Sequence, residues 1–329
     1  MQAGAGAIPV SVIVMTRNEA ANIAACLACL GDFDQVVVVD SASEDGTEAI
    51  ARDAGAELVS FLWDGHYPKK KQWSLQWPGL RHDWVLLVDA DERVSPALAA
   101  EIRGLMRRPR PEGAFFLSSR PVWLGRALRH GCPYRKIALM HRGRAHFPVC
   151  DDLHVATMWE VEGHYQPLVQ GPVGRLRHPL LHDDGKPPFA WLERHNRYSD
   201  WEAVLGMANP ARLAGERGMR RWAKHMVRVL PFRPALAFLH SYLLCLGFLD
   251  GRAGLHHAVA RGFYYWQIGF KRDWLAAQGQ TSQSSLRTST HAVPSEREPQ
   301  ASLAPSLLSP ASAFTSSKVR RRIFSSGMR

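Results

Sequence analysis

Four short runs of β-branched and apolar residues recur through the first third of the chain: VSVIVM (Val10–Met15), QVVVVD (Gln35–Asp40), AELVSF (Ala56–Phe61) and DWVLLVD (Asp83–Asp89). The unbroken apolar stretches lack the alternation of a half-exposed strand, so they predict strands buried on both faces. Between them, EAANIAACLACL and GTEAIARDAGA repeat apolar residues at helical spacing, the second capped by Ser43 or Asp45 and stopped by Gly55. Strand and helix in alternation imply an α/β fold, a parallel sheet with right-handed crossovers.

After Met106 the rhythm breaks. RRPRPEG reads as a loop, AFFLSSR and KIALMHR as short strands, and a stretch rich in His and Trp continues to about His182. Residues 1–186 are therefore expected to form one domain of two halves, 1–106 and 107–186. Residues 187–278 carry a helical pattern, and from 279 to 329 Ser, Thr, Pro, Ala and Gln without periodicity predict a disordered tail.

The helical region contains the apolar run PALAFLHSYLLCLGFL, Pro234–Leu249. It falls short of the roughly 20 residues of a bilayer span. A helix lying in the membrane interface, flanked by Arg220, Arg221, Lys224, Arg228 and Arg233, is the preferred reading, with a buried helix hairpin as the alternative.

Charge sharpens this picture. The net charge is +11, yet residues 210–280 hold eleven Lys/Arg against three Asp/Glu and residues 281–329 seven against two, so the preceding part is slightly acidic. A basic C-terminal part fits an anionic membrane surface and argues against a nucleic-acid groove across the main domain. Five cysteines without framework spacing indicate reduced thiols in a cytosolic setting, and the CxxC of Cys26 and Cys29, lying within a helical pattern, reads as buried thiols. No basic segment precedes the first apolar run, so no signal peptide is expected.

Candidate chemistry sits where three of the four runs end: Thr16-Arg17-Asn18-Glu19, Asp40-Ser41-Ala42-Ser43 and Asp89-Ala90-Asp91-Glu92. Open α/β sheets bind ligands beyond the carboxyl ends of their strands. The last cluster sets three carboxylates among four residues, an arrangement that needs open water or a cation between them. Neither GxGxxG nor a Walker loop is present, so a bound nucleotide diphosphate would need a metal and side chains for neutralisation. Asp89 and Asp91 suit Mg²⁺ or Mn²⁺, and at least one lysine of Lys69, Lys70 and Lys71 is placed to reach a diphosphate.

VSVIVMTRNEAANIAACL, VVVVDSASEDGTEAIA, WDGHYPKKKQW, DWVLLVDADERVSP and GPVGRLRHPLLHDD follow one another as in the family-2 glycosyltransferases, which the chain resembles from about Ile8 to Lys271. The branch it is most similar to contains lipopolysaccharide-core β-glucosyltransferases. The resemblance implies a GT-A fold, with a nucleotide-binding half at 1–106 and an acceptor half at 107–186. It also implies inverting transfer from a nucleotide-diphospho-sugar, with UDP as the nucleotide. By the family's pattern Thr16, Asn18 and Glu19 face the nucleotide; Ser43 of the second strand end and Lys70 and Lys71 of the lysine run are added to that set from their positions in the sequence. Asp40 faces the base, Asp89 the ribose or metal, Asp91 the metal, and His182 the metal near the diphosphate.

One motif departs from that pattern. The branch carries VHE shortly before its GPVG-like turn, the glutamate being the base, whereas this chain has Gly163-His164-Tyr165. In WEVEGHY, Glu160, Glu162 and His164 recur at a spacing of two and share a face if the segment is extended. Glu162 is the preferred base and Glu160 the next, with Asp151, Asp152 or a histidine such as His164 remaining open. The acceptor implied is a lipopolysaccharide-like or lipid-linked saccharide at the inner face of the cytoplasmic membrane, the protein being cytoplasmic and peripheral there. Transfer to a polyprenyl phosphate and a non-catalytic sugar-binding relative are the rival readings; metal-dependent hydrolysis of a UDP-sugar separates the latter from an enzyme.

Overall fold

A computed structural model describes residues 6–149, 160–161, 165–207 and 232–289, the side chains of 205–207 and 279–289 excepted. Glu162, His164, Asp151 and Asp152, the cluster Arg220, Arg221, Lys224 and Arg228, and the tail from 290 lie outside the described residues. The chain divides into units 1–281 and 282–329, and the fold below is that of the first.

The four apolar runs are strands β1 (Ile8–Thr16), β2 (Phe33–Asp40), β3 (Glu57–Ser60) and β4 (Trp84–Asp89), paired in parallel in the order β3-β2-β1-β4. Both faces are buried, as the unbroken patterns require. Val10, Val12 and Val14 of β1 enter one core cluster with Val36, Val38, Leu86 and Val88, while Ile13 and Met15 enter a second with Val37, Val39, Val85 and Leu87. Helix α1 (Ala20–Ala28) covers the first face with Ile23, Cys26 and Leu27, and α3 (Lys70–Gln76) covers the second with Leu75. Cys26 is fully buried, in keeping with its reading as a core thiol.

Helix α2 (Thr47–Asp53) starts differently from expectation. Its N-cap is Gly46 at φ 87°, while Asp45 accepts the N–H of Thr47 from one residue further back and Ser43 turns to Asp40. Its end is as expected: Gly55 at φ 73° lets the N–H of Ala56 reach Ala51 O at 3.1 Å and its own reach Arg52 O at 2.9 Å.

Beyond β4 the sheet becomes mixed. The two-residue strand β5 (Glu92–Arg93) is followed by α4 (Pro96–Met106), which opens on Ser95 and Pro96. Next come β6 (Ala114–Trp123), β7 (Arg126–Ala127), β8 (Tyr134–His141), β9 (Ala145–His146), β10 (Leu168–Val169), β11 (Val173–Arg175) and β12 (Leu180–His182). The main sheet runs β3-β2-β1-β4-β8-β6-β12-β5, with β8 antiparallel to both β4 and β6. Strand β12 returns parallel to β6 and pairs antiparallel with β5, setting His182 opposite Glu92.

Helix α5 (Pro188–Met207) follows, then α6 (Arg233–Leu239) and α7 (Gly251–Ser289). The apolar run expected as one interfacial helix is broken: α6 passes into a π-helical turn at His240–Leu244, then a 3₁₀ turn at Gly247–Asp250. Leu246 adopts φ 58°, and Gly247 packs so tightly that a Cβ would come within 2.6 Å of Ser241 O. Among the described residues no single helix is long and apolar enough to cross a membrane, although the pair Arg233–Leu244 and Gly247–Gln278, bent by 71°, meets the test of length and composition. The backbone stays helical to Ser289, past the boundary at 279 where disorder is expected, with no proline before Pro294 to stop it.

Candidate functional site

The order β3-β2-β1-β4 reverses direction between β1 and β4, which makes a crevice beyond their carboxyl ends. Register aligns the three polar strand ends there: Thr16 lies opposite Asp40, and Met15 opposite both Val39 and Asp89. Asp40 is completely buried. Its Oδ1 accepts from Thr16 Oγ1 at 2.7 Å and Ser43 Oγ at 2.6 Å, and its Oδ2 from Ser43 N at 2.8 Å. Asn18 and Ala42, at φ 55° and 51°, turn the two loops toward each other, and Asn18 N donates to Ser43 Oγ while Glu44 N donates to Asn18 Oδ1. Thr16 and Asp40 are thus closed off from solvent, and a contact from Asp40 to a base requires the Ser43 turn to open.

The lysine run divides into separate roles. Lys70 is 1% exposed, with its ammonium on Thr16 O at 2.7 Å and Ser41 Oγ at 2.6 Å. Burial pushes its pKa down to about 8, against the pull of Glu160 and Asp40. Lys69 is equally buried. Lys71 lies over the Phe147 ring, 5.8 Å from its centroid, and borders a small cavity with Met15, Leu87, Lys136 and Gln166. Glu160 closes this side: its carboxylate is 3.6 Å from Lys70 Nζ and 3.6 Å from Arg17, and its carbonyl accepts the Lys70 N–H at 2.7 Å.

The three clustered carboxylates are divided between two partners, Lys136 and His182. Lys136 on β8 donates to Asp89 Oδ2 and Glu92 Oε2, both at 2.6 Å. Burial opposes charge on Asp89, but Lys136 and Lys71 hold its carboxyl well below the usual range. Glu92 is 3% exposed and also accepts Asp89 N at 3.0 Å, so it is a buried support for the turn; burial pushes its carboxyl up. Asp91 turns the other way, its Oδ2 3.0 Å from His182 Nε2. Burial disfavours the imidazolium, yet Asp91 outweighs it and His182 is pushed up to about 9. Lys136 and the protonated form of His182 therefore relieve the repulsion for which the sequence pattern requires open water or a cation, and which the family resemblance assigns to a metal and a ribose.

The loop after β12 locks this edge to the β1 end. Lys186 Nζ donates to Asn18 O at 2.9 Å and Glu19 Oε1 at 2.5 Å, and Asn22 bridges Glu19 at 2.7 Å and Asp184 at 3.3 Å. Asp184 is paired with Arg194 of α5. Sequence reasoning passes over Lys136, Lys186 and Arg194. The only signal for Lys136 is a lysine directly before the apolar run IALM of the strand YRKIALMH.

The donors fit a hard divalent cation. Asp91 and His182 already converge, both partly exposed, and Asp89 is 46% exposed at the side chain despite its bond to Lys136. A carboxylate and an imidazole, with further places left for phosphate oxygens, suit Mg²⁺ or Mn²⁺.

Residues 11–121 match the family model described as Glycosyl transferase family 2. An uncharacterized glycosyltransferase of Rickettsia felis is 39% identical over 94 residues, 28% of this chain and 32% of that protein. The lipopolysaccharide core biosynthesis glycosyltransferase LpsC of Rhizobium meliloti is 26% identical over 203 residues, 60% of this chain and 71% of that one. The chain spans about a third of the length of the first curated relatives it matches. Among solved structures, a mannosyltransferase from Pyrobaculum calidifontis in complex with GDP-Man and Mn²⁺ is similar at a TM-score of 0.40 and 19% identity, covering 81% of this chain and 87% of that one.

Proposed function

We propose that this chain, which carries a family-2 glycosyltransferase domain over residues 11–121, is an inverting GT-A transferase that moves a sugar from a UDP-sugar to a lipopolysaccharide-like or lipid-linked saccharide. The observation that carries the reading is the Asp91–His182 pair, 3.0 Å apart just beyond the carboxyl end of β4. Mg²⁺ or Mn²⁺ held by Asp91 and His182 would neutralise the diphosphate as it leaves. Lys71, on the same side as Asp89, adds positive charge for the departing nucleotide. Lys70, fixed beneath Thr16, holds the β1 and β2 loops in one arrangement, and Asn18 and Ser43 are the donors and acceptors those loops present. The acceptor hydroxyl gives its proton to a carboxylate, Glu162 first and Glu160 second, as it attacks the anomeric carbon in line.

Support for the acceptor class comes from the LpsC likeness and from the C-terminal helices. On α7, Leu255, Val259, Phe263, Trp266, Phe270 and Trp274 recur every three or four residues and are each 38–57% exposed, in a region with excess basic charge. Such a stripe fits peripheral contact with an anionic bilayer at the cytoplasmic face. Replacing Trp266 and Phe270 together with glutamate should release the protein from anionic liposomes in flotation at low salt. Flotation unaffected by that change would remove α7 from the membrane contact.

Thermal stabilisation by a panel of nucleotide sugars, each with and without Mn²⁺, tests the donor assignment. A donor at 100 times its Kd should add about 2.7 kcal/mol of apparent stability. No Mn²⁺-dependent stabilisation by any UDP-sugar would reject it. Asp91→Asn keeps the shape and a hydrogen bond to His182 while removing the anionic ligand, so Mn²⁺-dependent donor affinity should fall by at least about 100-fold with the fold intact. Unchanged affinity by calorimetry would remove Asp91 from the metal site.

A further inference from the structure

We propose that Cys132, His240 and Cys245 form a Zn²⁺ site joining the turn before β8 to the C-terminal helices. Cys132 Sγ is 3.0 Å from His240 Nδ1 and 2.7 Å from Cys245 Sγ, and Cys245 Sγ is 3.9 Å from both imidazole nitrogens. All three donor atoms lie within 4.8 Å of one another, and among the described residues this is the one group of three metal-type donors so close together.

The backbone builds the cluster from two sides. The N–H of Cys245 donates to His240 O at 2.8 Å, a five-residue π-type bond that stacks His240 and Cys245 on one face of the turn. From the other side Gly131 N donates to Cys245 O at 2.7 Å, which brings Cys132 alongside. Asp250 holds the same turn, accepting from Arg129 N at 3.1 Å and His130 N at 2.7 Å. The contacts from Gly131 and Asp250 join segments more than a hundred residues apart in sequence, so the cluster is a tertiary product and neither half is a CxxC or CxxH motif.

Two thiolates and an imidazole are soft donors that favour Zn²⁺ over Mg²⁺ or Mn²⁺, which separates this site chemically from the carboxylates of the β1–β4 crevice. Three protein ligands leave a fourth tetrahedral position, and a cavity of ≈ 100 Å³ adjoins Cys132, with room for a water ligand. Cysteine binds Zn²⁺ as the thiolate, so loading the site releases thiol protons to solvent and affinity should rise with pH. A disulfide between the two sulfurs would give His240 no part. Strand β8 begins at Tyr134, immediately after this turn, so the ion would anchor the strand that carries Lys136.

Titration of the reduced, chelator-treated full chain with Co²⁺ tests the site. The expected result is a thiolate-to-cobalt charge-transfer band saturating at one ion per chain, displaced by Zn²⁺ but not by Mn²⁺ or Mg²⁺, and stronger at higher pH. Cys245→Ser and His240→Ala, checked for native circular dichroism, should weaken or abolish the band, whereas Asp91→Asn should keep it. Absence of the band in natively folded wild type would overturn the proposal. So would a mass measurement showing Cys132 and Cys245 joined as a disulfide in protein purified under reductant.

Discussion

Lys136→Met is expected to destabilise the chain by about 3–5 kcal/mol, the range for removing one partner of a buried ion pair. Its ammonium lies 2.6 Å from both Asp89 and Glu92. Asp89 is half exposed and water can take over its solvation, so most of the cost falls on Glu92, which is 3% exposed. Glu92 without Lys136 has a folded-state pKa raised further above its unfolded value. A carboxyl raised on folding costs nothing while both states are protonated and costs progressively more as pH rises past the unfolded pKa. Urea melts at about pH 5 and about pH 8 should therefore show the larger deficit at the higher pH, and adding Glu92→Gln should recover most of it. A deficit independent of pH would mean that Lys136 matters for packing and not for charge.

Glu162→Gln should lower turnover by about 10²–10⁴ while leaving donor binding nearly unchanged, as loss of a general base does. Glu160→Gln should behave differently. Glu160 pairs with Lys70 and Arg17 at 3.6 Å, and Lys70 holds Thr16 O and Ser41, so its loss disturbs the loops proposed to take the donor. The expected signature is a change in donor affinity with turnover reduced less. Turnover and donor affinity measured for both variants decide the matter: a collapse of turnover in Glu160→Gln, with donor affinity held, would transfer the base to Glu160.

The strands β1, β2, β3 and β4 were legible because a strand buried on both faces must be apolar at every position, and that demand is written locally. The polar residues at their ends were legible for the same reason, since carboxylates and amides interrupting apolar runs have few structural uses. Local signals also misled. Ser43 looks like a helix cap, yet Asp40, three residues earlier, offers its hydroxyl and N–H a nearby buried carboxylate. The Pro234–Leu249 run looks like one helix, yet it is broken by a π-helical and a 3₁₀ turn, with Leu246 at φ 58° between them and Gly247 close against Ser241.

Hydrophobic periodicity and the order of the motifs by themselves determined an α/β sheet, its carboxyl-edge crevice and the acidic cluster that faces it. Which charges neutralise that cluster was decided only by tertiary structure. Lys136 lies 44 residues beyond Glu92 and His182 lies 91 beyond Asp91, reaching them through the β4–β8 and β5–β12 pairings. Cys132 reaches Cys245 across 113 residues through the contact of its turn with the C-terminal helical segment. Apolar burial repeats along a strand with a fixed period and so leaves a local record, whereas a charge or thiol pair needs only one residue at each end, and the tertiary fold selects the partner.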